Sequence, residues 1–337
     1  MHPTSDHGPR ASKRVRLGDP VLDRYLEFVE SRARHNTLLA TASDLRAFFA
    51  FASKPAESVT TADVLAFIAD QRRPRGDGRV VRLADGESGL SARTIKRRLS
   101  SVSGLFCFLV MCDEVSANPV PRGLATRRPG RRGVALVRTP RTLPKILDPV
   151  EVDALMAALR RWRDRAMVEA MVLGGLRRCE VLGLRIVDLR PGLNQLFVAE
   201  GKGGHQRLIP VSPRFFASVA AYMGSERPVE ASTEQLFVVL KGHRRGRPLS
   251  ADGLDEIVLG ARRRAGLTHG TCHHLRHTCL TRLREAGMAL EAVQAQAGHR
   301  SIESTRVYLH LANDWLAAEY HRAAVIIDAL AAEAVAL

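Results

Sequence analysis

The sequence predicts a mainly α-helical chain in two domains, the second of which carries one small antiparallel sheet. Three observations predict it. Residues 19–118 hold amphipathic runs with recognisable helix caps, and residues 119–145 hold eight basic residues and no acid. A single strand, glycine turn and strand pattern then interrupts an otherwise helical second half. At 337 residues and 45% hydrophobic, the chain has apolar content enough for two cores.

Residues 1–18 read as a polar, basic tail with too little apolar surface to fold by itself. Four helices follow, at about Pro20 to Ala33, Thr37 to Ala52, Thr61 to Arg72 and Ser91 to Asp113. Thr60 and Asp63 form a variant capping box for the third, and Ser91 caps the fourth. The stretch from Arg73 to Gly89, rich in Gly, Arg and Asp, separates these two as a loop. On the fourth helix Arg93, Lys96 and Arg97 fall at i, i+3 and i+4, opposite Ile95, Leu99, Val102 and Phe106. Such a face either touches phosphate or is simply solvated. Residues 119–146, with Arg127, Arg128, Arg131 and Arg132, are a basic linker. Asp148 and Pro149 then open the second domain as helix cap and first helical residue.

In that domain Gly174 and Gly175 end one helical run, while Leu176, Val181, Leu182 and Leu184 give the next its apolar face. Arg177 falls in a first turn, where a guanidinium fork and open backbone N–H groups suit an anion, and Glu180 lies one turn on to orient it. QLFVAEGKGGHQRLIPV reads as a strand from Gln195 to Glu200, a glycine-rich turn and a strand from Arg207 to Val211, with Lys202 at the tip. The chain uses 45 arginines against six lysines, so a lysine there points to a task arginine cannot do: releasing a proton. GKG is not a phosphate loop, since G-x-x-x-x-G-K-[ST] is absent.

A helix from about Thr271 to Ala286 puts His273, Arg276 and His277 on one face. With Cys272 beside them these groups fit a zinc site, an anion site or a solvated basic face, although a permanent guanidinium charge repels a metal cation and attracts an anion. His299 precedes a further helix starting near Ser301, which carries Tyr308. A phenol of pKa about 10 is ionised in only about one molecule in a thousand at neutral pH, so a nucleophilic tyrosine needs nearby cations or a base. From Asp314 onward the chain is helix-prone, with Trp315, Leu316, Tyr320, Ile326, Ile327 and Leu330 as apolar anchors.

A formal charge of +16 and a pI near 10.7 point to a polyanionic partner. The excess sits in front: residues 1–147 hold 26 Lys and Arg against 14 Asp and Glu, the remainder 25 against 21. Five cysteines, odd in number and without a CxxC pair, argue against a disulfide framework and fit a reducing compartment. The N-terminus lacks the apolar core of a signal peptide, and the longest apolar run, LFCFLVM from Leu105, is too short to span a bilayer, so a soluble cytoplasmic protein is expected.

Taken in order, GLRRCE, GKGGHQRLIP, HHLRH and AGHRSIESTRVYLH resemble the tyrosine recombinase (phage integrase) family over about Leu147 to His310. A weaker resemblance extends over SARTIKRRLSSVSGLFCFL and the Asn118–Pro119 pair. It implies a four-helix SAM-like core-binding domain over 19–118, the linker 119–146, a mixed, mostly helical catalytic domain over 147–312, and a C-terminal helix over 313–337. That helix either docks on a neighbouring subunit or packs on its own domain. By motif position Arg177 and Arg276 clamp a DNA phosphate with His299, and Tyr308 is the nucleophile. His273 takes its proton, Lys202 protonates the leaving 5′-hydroxyl, and Glu180 and His277 support them. His274 and Cys179 stand where the family often has other residues and carry no assigned role. Arg93, Lys96, Arg97, Arg127, Arg128, Arg131 and Arg132 are the DNA-contact residues.

The resemblance implies a site-specific recombinase that cuts and rejoins duplex DNA through a 3′-phosphotyrosyl intermediate, with no ATP, metal or cofactor, for a mobile element or replicon. Its partner would be double-stranded DNA with inverted-repeat core sites. It would be a monomer in free solution and a homo-tetramer on synapsed DNA, nucleoid-associated and bacterial. With no arm-binding domain ahead of the clamp, a Xer-like, transposon or plasmid enzyme is expected. The alternatives are a type IB topoisomerase-like relaxing enzyme and a non-catalytic DNA-binding regulator, the latter disfavoured by the complete residue set.

Overall fold

The computed structural model describes residues 15–73, 89–123, 135–139, 144–199, 206–299 and Thr305. The chain forms two compact units, residues 1–141 and 142–337, each with its own apolar core.

The first unit contains α1 (Pro20–Arg32), α2 (His35–Ala52), α3 (Thr61–Gln71) and α4 (Ala92–Met111). Side chains fix three of the four starts. Asp19 accepts from the Val21 and Leu22 N–H groups ahead of Pro20, Thr60 and Asp63 complete a capping box, and Ser91 accepts from Thr94. Helix α2 begins two residues before Thr37, and Arg34 at its N-cap makes no side-chain capping bond. The four helices bury Leu26, Leu45, Phe48, Phe67, Ile95, Leu105 and Phe106, and Phe48 meets Phe67 edge-on at 5.1 Å.

On α4 the periodicity holds: Ile95, Leu99, Val102 and Phe106 are buried, while Arg93, Lys96 and Arg97 are exposed. One correction applies to this face. Arg97 is not merely a solvated cation, because its guanidinium donates to Asp44 at 2.6 Å, and the buried Asp44 carboxylate also receives the Ser101 hydroxyl at 2.9 Å. A carboxylate out of water needs such a counter-charge, so Arg97 serves the fold as well as the surface.

The second unit holds α5 (Pro149–Ala157), α6 (Trp162–Val172), α7 (Arg178–Gly183), β1 (Leu189–Arg190), β2 (Gln195–Val198), β3 (Arg207–Pro210), α8 (Pro213–Ser225), α9 (Ala251–Arg264), α10 (Cys272–Glu285) and α11 (Leu290–Ala297). Asp148 and Glu151 form a capping box with Pro149 at the first helical position. Helix α6 is the central element: Ala166, Met167, Val168, Ala170 and Met171 are fully buried, with α8 and α10 packed on it. The sheet is antiparallel in the order β1-β2-β3, with Leu196 opposite both Leu189 and Ile209. Its strands are shorter than predicted, β2 ending at Val198 and β3 at Pro210. The Val211 N–H leaves the ladder for the Asn194 carbonyl. Strand β1 and helices α8, α9 and α11 are additions to the predicted elements; α11 is short, and only Val293 and Ala297 on it reach full burial, against Leu280.

The polar tail before Val15, the loop 74–88, Arg127, Arg128, Arg131, Arg132, Lys202, Tyr308 and the C-terminal helix lie outside the described residues. Among the described residues no helix is long and apolar enough to cross a membrane.

The edge-on Phe48–Phe67 pair sits at full burial, so Phe48→Ala loses transfer energy and leaves a cavity. Urea denaturation of the full chain is expected to show a loss of about 3–5 kcal/mol in the transition of the first unit. A change under about 1 kcal/mol contradicts that packing.

Candidate active site

The turn between α6 and α7 is the floor of the site. Gly175 adopts φ +69°, and a Cβ at Gly174 would lie 2.8 Å from both the Ala170 carbonyl oxygen and Leu176 Cδ1, so the pair must be glycine. The turn thereby presents two carbonyls inward. Gly174 O accepts from Gln296 Nε2 at 2.9 Å, and Gly175 O accepts from Arg276.

Arg177 follows at the N-cap of α7 rather than inside its first turn, with extended backbone. Its guanidinium does not join open backbone N–H groups as predicted. It donates to Glu180 Oε1 at 2.7 Å and to Gly298 O at 3.2 Å, while its backbone N–H donates to Glu180 Oε2 at 2.9 Å. Glu180 thus bonds Arg177 at both its guanidinium and its backbone.

Glu180 is buried with 0% of its side chain exposed, and three guanidinium groups surround it. Arg207 engages it fork to fork, NH1 to Oε1 at 3.1 Å and NH2 to Oε2 at 3.0 Å. Arg276 NH1 lies 3.8 Å from Oε2. Burial alone pushes this carboxyl up, but the Arg207 bonds, the Arg177 N–H and the charges of both arginines outweigh it and hold the group below the usual carboxylate range.

The C-terminus of α11 supplies the opposing anchor. Its last carbonyls have no partner inside the helix and form the negative end of the helix dipole. Gln296 O accepts from Arg207 Nε at 3.3 Å, Ala297 O from Arg276 NH2 at 2.6 Å, and Gly298 O from Arg177. Gly298 has φ +58°, and a Cβ on it would meet Arg207 Cζ at 2.9 Å, which leaves room only for glycine.

His299 comes next in the chain. Its Nε2 lies 3.2 Å from Arg276 NH2 and its Nδ1 3.0 Å from the Thr305 hydroxyl. A guanidinium can only donate, so Nε2 accepts and Nδ1 carries the proton to Thr305. Burial, then the charges of Arg276, Arg177 and Arg207, push the imidazole down to about 4. His299 is therefore neutral, and in this tautomer it reaches an anion through Arg276 rather than by its own N–H.

The histidines of α10 complete the set. Thr271 caps the helix and its first turn presents the exposed His273. His273 and His277 meet Nε2 to Nε2 at 2.8 Å, ring edge to face. Burial, then the charges of His273 and Arg276, push His277 down to about 3. The helical spacing thus does pair the two histidines, but Arg276 is turned into the protein and nearly fully buried, so the three do not share one open face. Burial drives Cys279 up to about 12, and Cys272 goes to about 12 by burial and its bond to Asp255. Neither thiol is a nucleophile.

Sequence reading missed Arg207, Gln296 and Thr305. For Arg207 a signal existed: strand alternation places it on the same inward face as Ile209, an unusual seat for a cation.

One buried guanidinium, Arg276, and one half-buried guanidinium, Arg177, with neutral histidines beside them, make a cradle suited to an anion. The phage integrase family matches residues 145–314. The chain belongs to this family of tyrosine recombinases. The integrase N-terminal SAM-like domain matches residues 22–111. Tyrosine recombinase XerD of Lacticaseibacillus casei is 31% identical over 77% of this chain and 87% of its own. Tyrosine recombinase XerC of Roseiflexus castenholzii is 31% identical over 85% and 89%. In fold, the recombinase resembles the Tn1549 transposon integrase in complex with transposon right end DNA, with a TM-score of 0.68, 21% identity and coverage of 90% and 99%. It also resembles a lambda integrase dimer bound to a COC′ core site, with a TM-score of 0.61, 20% identity and coverage of 86% and 93%.

The depressed histidines link stability to pH. His299 and His277 stay neutral in the fold below their ordinary value of 6.5, whereas the unfolded chain takes up protons there. Their contribution is complete above pH 6.5 and falls away as the pH drops through the folded values near 4 and 3. Thermal unfolding is expected to show Tm decreasing over that interval, with a shallower slope for His277→Gln; an unchanged slope would mean that His277 carries none of the effect.

Proposed function

We propose that the recombinase cuts one DNA strand by attack of Tyr308 on a backbone phosphate. The phenolic oxygen forms a bond to phosphorus, the bond to the 5′-oxygen breaks, and a 3′-phosphotyrosyl ester and a free 5′-hydroxyl result. Arg177 and Arg276 take the non-bridging oxygens, with His299 holding the Arg276 fork. His273, steadied by His277, accepts the phenolic proton, and Lys202 returns a proton to the departing 5′-oxygen. The ester conserves the energy of the bond it replaces, so a second 5′-hydroxyl can reverse the step without ATP. The roles of Tyr308 and Lys202 rest on their motif positions.

One observation carries this reading: two guanidinium groups, from separate segments of the chain, are fixed between the same buried carboxylate and the same helix end. Preorganised cations aimed at developing phosphate charge are the main source of rate in phosphoryl transfer without covalent help from a cofactor. The XerC and XerD relatives, and DNA-bound integrases with this fold, support a duplex with inverted-repeat core sites as partner, and a lambda integrase tetramer bound to a Holliday junction supports a tetramer on synapsed DNA. Integration, excision or resolution of a mobile element or replicon in the bacterial cytoplasm is the setting that fits. Arg93 and Lys96 on α4 are the described candidates for phosphate contact in the first unit.

A nicked duplex built on the site that the wild-type chain selects from random-sequence DNA should trap a covalent adduct. Tyr308→Phe is expected to abolish the adduct, and Arg177→Gln or Arg276→Gln to slow its formation roughly 100- to 1,000-fold. Persistence of adduct in Tyr308→Phe sinks the mechanism, and relaxation of plasmid lacking the selected site indicates a topoisomerase instead. Lys96→Ala should weaken binding evenly across sequences and lower the salt slope by about one.

A further inference from the structure

Arg207 takes no part in the proposed strand-cleavage chemistry, yet its fork meets both Glu180 oxygens, and its exposure lies between that of Arg276 and that of Arg177. Its side chain is 12% exposed. Its hydrogen bonds run inward, to both Glu180 oxygens and the Gln296 carbonyl, with Gly298 closed over its guanidinium.

The arithmetic of charge explains why a third arginine is there. Glu180 is needed to orient Arg177, but a lone buried carboxylate also cancels the positive charge it orients. With Arg207 included, three guanidinium groups surround one carboxylate, a formal charge of about +2 by count. A phosphodiester carries about one negative charge at rest and about two in the transition state, so a cluster at +2 favours the transition state over the ground state where +1 would discriminate less. Arg207 also engages the carboxylate in the fork-to-fork manner, which leaves Arg177 with a single side-chain bond to it.

We propose that Arg207 is a positioning residue for strand cleavage: its fork holds Glu180 so that the carboxylate anchors Arg177 and Arg276 without neutralising them. The proposal rests on the strand-cleavage reading and adds to it the residue that sets the charge of the cradle. Arg207 opens β3, five residues after Lys202 in the sequence, so the start of that strand is pinned to Glu180 by its side chain.

The test compares Arg207→Gln, Arg207→Lys, Glu180→Gln and the double variant Arg207→Gln/Glu180→Gln in the full chain. Two readouts are used: adduct formation on the nicked duplex and gel-shift affinity for an uncut single site. Arg207→Gln is expected to slow adduct formation roughly 10- to 100-fold while affinity changes less than about threefold. Arg207→Lys, which keeps the charge and loses the fork, should fall between it and wild type. The double variant should match Glu180→Gln alone rather than the product of the two losses, because a neutral amide in place of the carboxylate needs no counter-charge. Without DNA, Arg207→Gln leaves Glu180 buried and under-compensated, so its folded pKa rises and the variant should regain Tm toward wild type as the pH falls; the double variant should lose that regain. If Arg207→Gln does not fold, Arg207→Lys carries the same comparison. A wild-type chain that forms no adduct overturns the strand-cleavage reading itself. Wild-type adduct together with full activity in Arg207→Gln, or with additive losses in the double variant, overturns the Arg207 assignment alone.

Discussion

The catalytic unit depends on a buried anion. Glu180, out of water, is tolerable only because guanidinium groups close around it, and those groups are tolerable out of water only because the carboxylate and the carbonyl end of α11 receive them. Each half of the arrangement supplies what the other would otherwise lack. Segments far apart in the chain, the glycine turn at 174–175, the start of α7, β3, α10 and α11, are held in one place by this reciprocal need.

The same density of positive charge explains the state of the histidines. An imidazole near several guanidinium groups and away from water resists a second proton, so His299 and His277 are neutral at pH 7 and stay so well below 6.5. The neutral His277 is bonded to the exposed His273, the residue proposed as base.

Much of this was legible in the sequence where the controlling interaction is local. Thr60 with Asp63, Ser91, and Asp148 with Pro149 mark helix starts because a cap and its target N–H groups lie within three residues. The Arg177–Glu180 pair was legible for the same reason. What escaped depends on contacts across the chain. Arg207 reaches a carbonyl 89 residues away, and Arg97 a carboxylate 53 residues away; strand alternation tells that Arg207 faces inward but not what it meets there. Helix α11 escaped because its apolar side is built from one valine and one alanine, too small a stripe to register as amphipathic. The inward turn of Arg276 escaped because spacing on a helix tells which residues are neighbours, not which of them faces solvent.

Among the described residues each unit closes a core of its own. Evolution can therefore redraw the helical face of the first unit, substituting cations on α4 or exchanging the whole bundle for a relative's, while the electrostatic lattice around Glu180 stays intact. A recombinase built this way can vary one core without disturbing the charges arranged in the other.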